Sequence, residues 1–91
     1  MIDLTHRMVA ARHIVGDRIV LDWLEICRLA EPLTFGCRGF GVRTARLVEA
    51  WRCSQPSVSR RLAAINAAPA AAGLGRVERA RGAHGWWRVL R

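Results

Sequence analysis

The sequence predicts a mainly α-helical domain closed by a small C-terminal β-hairpin, and three observations predict it. Apolar residues recur at helical spacing in four segments between residues 3 and 66. The chain then breaks at an Ala/Pro/Gly-rich stretch, residues 67–75. Beyond it, residues 76–90 lose the helical period and hold two short runs around the turn Gly82-Ala83-His84-Gly85. With 91 residues, 52% of them hydrophobic, the chain is long enough for one compact domain and too short for two, so residues 1–91 are expected to share one core.

Taken in order, Leu4, Met8, Ala11 and Val15 give residues 3–15 a weak apolar stripe, with Asp3 or Thr5 placed to cap its start. Residues 1–16 are thus an N-terminal extension or a dimerisation helix. Gly16-Asp17 reads as a break and a fresh helix start. Residues 18–30 form a clearer helix, with Ile19, Trp23, Ile26 and Ala30 on one stripe, Leu29 on one flank, and Val20 and Cys27 on the other. Pro32 ends it. Residues 33–42 hold three glycines and no helical period, which predicts a loop with room for one very short strand. Residues 44–52 resume helical patterning, capped by Thr44 and turning Leu47, Val48 and Trp51 inward. After the short turn Cys53-Ser54, residues 55–66 form the next helix, with Ser54 as N-cap and Pro56 in the first turn, where its missing N–H does no harm. Residues 76–81 and 86–90 are the two hairpin strands.

Charge is distributed unevenly. The chain carries 15 basic and 7 acidic side chains for a net charge of +8, and every base is arginine. A GC-rich coding bias explains the missing lysine as readily as function does. Position is more informative. Residues 1–42 hold five arginines and five acids, whereas residues 43–91 hold ten arginines and only Glu49 and Glu78. The entire excess lies in the second half, which points to a polyanionic partner on one face. A membrane surface also attracts cations, but the basic half lacks a long basic amphipathic helix. No segment approaches the ~18 apolar residues of a membrane span, and the charged start MIDLTHRMVAARH lacks an apolar leader core. The three cysteines, Cys27, Cys37 and Cys53, form no CxxC pair. The expectation is a soluble cytoplasmic protein with free thiols.

Helix, helix, tight turn, helix, hairpin is the layout of a winged helix-turn-helix: a three-helix core with a C-terminal wing, here with an extra N-terminal helix. The major groove of duplex DNA admits one α-helix, and a hairpin beside it reaches phosphates or the adjacent minor groove. In residues 55–66, Val58, Leu62 and Ile65 cluster on one side. Pro56, Ser57, Arg60, Ala63 and Ala64 lie opposite, with Ser59 and Arg61 toward the flanks. Small and basic residues on the open face let the helix approach a groove closely. The bland alternative is an amphipathic helix with a solvated polar face.

The run Cys53-Ser-Gln-Pro-Ser-Val-Ser-Arg-Arg-Leu62 resembles the recognition-helix signature of bacterial winged-helix regulators of the arsenic-repressor and multiple-antibiotic-resistance types, and the likeness covers about residues 44–90. It implies sequence-specific binding of double-stranded DNA, usually as a homodimer, for transcriptional control. By that resemblance Ser54, Gln55, Ser57, Arg60 and Arg61 map onto DNA-contacting positions. Arg43 and Thr44, at the entry to the helix-turn-helix of residues 44–66, are added as candidates. In the wing, residues 76–90, the candidates are Arg79, Arg81, His84 and Arg88. Arg79 and Arg81 share a strand face with Val77, and Arg88 stands across the hairpin. The chain departs from the arsenic-repressor pattern in having Cys53 where that type often carries a Cys-x-Cys metal site, so no metal and no cofactor are expected. No small-molecule effector domain is evident.

Other groups invite competing readings. Adjacent Trp86 and Trp87 face opposite sides of a strand, so one packs inward; Trp23 and Trp51 lie on apolar helix faces. The cysteines with His6, His13 and His84 match no zinc spacing. No acid completes a triad from Ser57 or Ser59 with His84, and no G-x-S-x-G elbow occurs, so no catalytic residue and no enzyme activity are expected. Two other functions stay open: a winged helix that binds a protein partner, and an architectural or replication-associated DNA binder with little sequence preference.

Overall fold

The structure, a computed structural model, describes residues 14–33, 39–80 and 84–91. Within them lie three α-helices and a four-stranded antiparallel sheet. The helix predicted over residues 3–15 falls outside the described residues except for Ile14 and Val15, which are helical.

Helix α1 spans Asp17–Leu29, with Asp17 in its first turn and Arg28 in its last, each complementing the helix dipole. Its buried residues Val20, Trp23, Ile26 and Leu29 recur every three positions, and Asp22 is buried beside them. The inward stripe is therefore rotated from the one predicted: Ile19, Cys27 and Ala30 pack on the core only at its edge. Ala30 is extended, and Glu31 precedes a proline that disfavours helical backbone, so the chain leaves α1 directly into strand β1, Glu31–Pro32.

The glycine-rich segment expected to be a loop yields a four-residue strand, β2, Phe40–Arg43. It pairs with β1 on one side and with the hairpin strand β4 on the other. Gly41 makes that second pairing possible. A Cβ there would stand 2.7 Å from the Trp87 carbonyl oxygen and 2.7 Å from a Leu33 methyl carbon. Here glycine marks a close backbone approach within a strand.

Helix α2, Thr44–Trp51, ends on Arg52 in the left-handed conformation, φ 49° and ψ 51°. Cys53 and Ser54 complete a three-residue turn into helix α3, Gln55–Asn66. Ser54 caps α3 as predicted, its Oγ accepting from the Ser57 N–H at 3.4 Å. Val58, Leu62 and Ile65 are buried, as the helical spacing requires. After Pro69 a single 3₁₀ turn, Ala70–Ala72, leads to β3, Arg76–Arg79. Gly75, just before β3, lies so close to the Trp23 ring and the Leu90 carbonyl that no Cβ fits. Strand β4, Trp86–Leu90, pairs with β3 in the register Val77↔Val89 and Arg79↔Trp87.

The sheet order is β1-β2-β4-β3. One core joins helices to sheet: Ile26 of α1, Leu47 of α2 and Leu62 of α3 meet Val42, Val77 and Val89. Trp87 faces this core, and Trp86 lies on the other side of β4. Trp23 is buried, whereas Trp51 is only half-buried at the core's margin. Two contacts fasten the sheet to the helices. Thr44 at the start of α2 donates through its N–H (2.8 Å) and its Oγ1 (3.2 Å) to the Gly85 carbonyl, and its Oγ1 accepts from Trp87 Nε1 (2.8 Å). At the end of α3, the Asn66 amide bonds both backbone polar groups of Val77.

Candidate nucleic-acid interface

Helices α2 and α3 with their three-residue turn form the centre of the candidate surface. The residues that bury α3 leave Gln55, Ser59, Arg60 and Ala63 exposed on its other side. Arg60 donates to Ser57 Oγ at 2.9 Å, and Ser57 Oγ also receives a hydrogen bond from Ser54 Oγ at 3.1 Å. Ser54 and Ser57 thus form a short chain that steadies the exposed Arg60 head.

Arg61 behaves differently. Its guanidinium forks onto the Asp22 carboxylate of α1, with Nε to Oδ2 at 3.0 Å and Nη2 to Oδ1 at 2.5 Å. It also lies 4.1 Å over the Trp51 ring. Hydrogen bonding to Asp22 raises its pKa despite partial desolvation. The Asp22 side chain is 7% exposed, so Arg61 compensates a buried charge and ties α1, α2 and α3 together. Its expected place among the open DNA-facing cations gives way to this internal bond.

Thr44 is likewise occupied, since its hydroxyl and N–H hold the hairpin turn and the Trp87 indole. Arg43 is exposed, 5.4 Å over the Trp86 ring and 4.0 Å from Glu31. In the hairpin, Arg79 and Arg88 lie on opposite faces. Arg79 is exposed and stacks 4.7 Å over Trp87 at the rim of the core. Arg88 pairs across the strands with Glu78 at 3.7 Å, which takes part of its charge. His84 is exposed on the turn, and Arg81 lies outside the described residues.

Six arginines, Arg46, Arg52, Arg60, Arg76, Arg79 and Arg91, make no ion pair among the described residues and are exposed. Three of them sit on α2, on α3 and on the turn between them. Arg46 and Arg52 carry no motif in the sequence; what marks them is exposure on α2 and its turn with no ion pair among the described residues. A cleft of about 370 Å³ opens between α1 and α3, with Arg18, Ser57 and Arg60 among its walls.

Cys27 and Cys53 are free thiols, each half-buried. Burial raises the Cys27 pKa, opposed in part by the positive charge of Arg91. Among the described residues, no group of three or more His, Cys, Asp or Glu side chains is placed to hold a metal, and no helix is long and apolar enough to cross a membrane. Comparison of the chain with family models, curated proteins and solved structures finds no match.

Proposed function

We propose that this protein is a winged helix-turn-helix that binds double-stranded DNA in a sequence-specific manner, with α3 in the major groove and the β3–β4 hairpin on the backbone or minor groove, as a transcriptional regulator. The observation that carries the reading is the two-sided character of α3. Val58, Leu62 and Ile65 anchor it from behind, while Gln55, Ser59, Arg60 and Ala63 stay exposed in front. A three-residue turn joins it to α2, and the sheet order β2-β4-β3 agrees with a wing hairpin returning to a strand that precedes the helix-turn-helix. Unpaired Arg46, Arg52 and Arg60 supply cations on that unit, and Arg79 supplies one on the hairpin. Arginine forks match phosphate oxygens and guanine edges.

The protein-partner reading calls for an exposed tryptophan surface and a masked Arg60. Trp87 is buried, Trp86 lies under Arg43, and Arg60 is exposed, so DNA is favoured.

The test is selection of bound duplexes from a random library, followed by salt titration of the selected site. A preferred site and an affinity that falls steeply with salt are expected, because cations that neutralise phosphates release counterions. Arg60→Ala should flatten the preference at one or two positions by about 1–3 kcal/mol. Arg79→Ala should weaken all sequences alike and lower the salt slope by about 1. A steep salt slope without any preferred site replaces the regulator by an architectural binder. Salt-insensitive or undetectable duplex binding overturns the proposal.

A further inference from the structure

We propose that the cleft between α1 and α3 is a binding site for a phosphoryl group, with Arg18 and Arg60 as its two arms. The cleft, about 370 Å³, takes Arg18 and Asp22 from one wall and Ser57, Arg60 and Arg61 from the other. Three guanidiniums against one carboxylate give it a net charge of +2. That carboxylate is already committed. Both Asp22 oxygens are held by the Arg61 fork, and the Asp22 side chain is 7% exposed. Arg61 takes both Asp22 oxygens in close hydrogen bonds and Arg18 meets that carboxylate only at 3.9 Å, so two positive charges in excess remain, carried mainly by Arg18 and Arg60.

Both remaining arms have donors to spare. The Arg18 side chain is 77% exposed, and its ion pair with Asp22, Nε to Oδ1 at 3.9 Å, is beyond hydrogen-bonding distance. Among the described residues Arg60 is bonded only to Ser57 Oγ, through one Nη. Ser57 Oγ accepts from Ser54 and Arg60, so its own proton is available to a further acceptor. Two guanidinium forks and one hydroxyl facing a common hollow suit a tetrahedral oxyanion, which accepts several charge-assisted hydrogen bonds at once. Ile19 and Ala64 add apolar surface beside it. The site draws Arg18 from the half of the chain with no net charge, where composition gives no hint of anion binding.

Two sources present this chemistry: a backbone phosphate of bound duplex, which rests on the function proposed above, and a free phosphorylated compound, which does not. Titration of the full chain with pyrophosphate at constant ionic strength, followed through arginine Nε–Hε and Ser57 amide NMR signals, tests the site itself. Saturable shifts at Arg18, Arg60 and Ser57 are expected, with affinity falling about tenfold in Arg18→Ala. Because Arg18 is exposed, a thermal melt of Arg18→Ala should match the parent, which separates loss of the site from loss of the fold. Linear, unsaturated shifts spread equally over Arg46, Arg52, Arg76 and Arg79 overturn the proposal. The second arm compares duplex binding with salt for the parent and Arg18→Ala. A slope lowered by about 1 assigns the site to the DNA backbone. An unchanged slope alongside saturable pyrophosphate binding assigns it to a free phosphorylated ligand. Absence of duplex binding overturns the DNA reading, while the pyrophosphate arm still decides the cleft.

Discussion

Asn66 and Val77 exchange two hydrogen bonds, Asn66 Nδ2 donating to the Val77 carbonyl at 2.7 Å and the Val77 N–H donating to Asn66 Oδ1 at 2.9 Å. A side-chain amide thus completes the backbone pairing of β3, which is an edge strand of the sheet. Edge strands with open polar groups invite pairing with other chains. The last residue of α3 blocks that pairing here and fixes where the hairpin begins relative to the helix.

Asn66→Ala should therefore cost about 2–3 kcal/mol, because it strands two backbone groups of a residue that is almost fully buried. Urea unfolding followed by tryptophan fluorescence measures this. A concentration-dependent increase in mass is the accompanying sign of an uncovered strand edge.

Arg60 and Arg61 are adjacent, and their substitutions should separate cleanly. Arg61→Ala strips the buried Asp22 of its hydrogen-bonded partner, leaving only the looser approach of Arg18, and is expected to lower stability by about 2–4 kcal/mol. Arg60→Ala, at an exposed position, should stay within about 0.5 kcal/mol of the parent and, under the proposed function, alter duplex binding instead. Paired melting and duplex-binding measurements on the two variants check the division.

Thr44 connects α2, the hairpin turn and a core tryptophan through one hydroxyl. Thr44→Val preserves shape but leaves the Trp87 indole N–H without its acceptor, so a loss of about 1–3 kcal/mol is expected. Thr44→Ser keeps the hydroxyl and should recover most of it. Chemical denaturation of the three proteins side by side gives the answer.

The chain contains neither lysine nor tyrosine, so few groups other than its cysteines titrate in mild alkali. Burial lifts the Cys27 thiol above its ordinary value of 9.0. A raised folded pKa gives a contribution to stability that is complete below about pH 9 and is lost as the pH climbs through the folded value. Stability measured from pH 8 to 10.5 should decline more in the parent than in Cys27→Ala. At pH 8, alkylation of Cys27 by iodoacetamide should be slower than that of a cysteine in an unstructured peptide.

What was legible in the sequence followed the range of the forces involved. Helix α3 could be read to the residue, since Ser54, Pro56 and the spacing of Val58, Leu62 and Ile65 are local signals. That the two tryptophans of β4 face opposite sides followed from the two-residue period, though not which of them packs inward. Strand β2 was hidden because its partner β4 lies more than forty residues along the chain and its glycine looks like loop punctuation until the Trp87 backbone is beside it. The same limit applied to the site. Arg60 was correctly expected to be exposed, whereas the capture of Arg61 by Asp22, 39 residues away, has no local signature. The cross-strand pairing of Arg88 with Glu78 depended on a hairpin register that a turn of uncertain length leaves undetermined.

The left-handed backbone at Arg52 has a consequence for design. Glycine occupies that conformation freely, while a side chain with a Cβ incurs about 1–2 kcal/mol there. A sequence optimised for thermal endurance alone would end α2 in glycine. This chain tolerates the strain and gains a long cationic arm at the corner between the two helices, so a more heat-resistant Arg52→Gly protein would surrender part of the positive field at that corner.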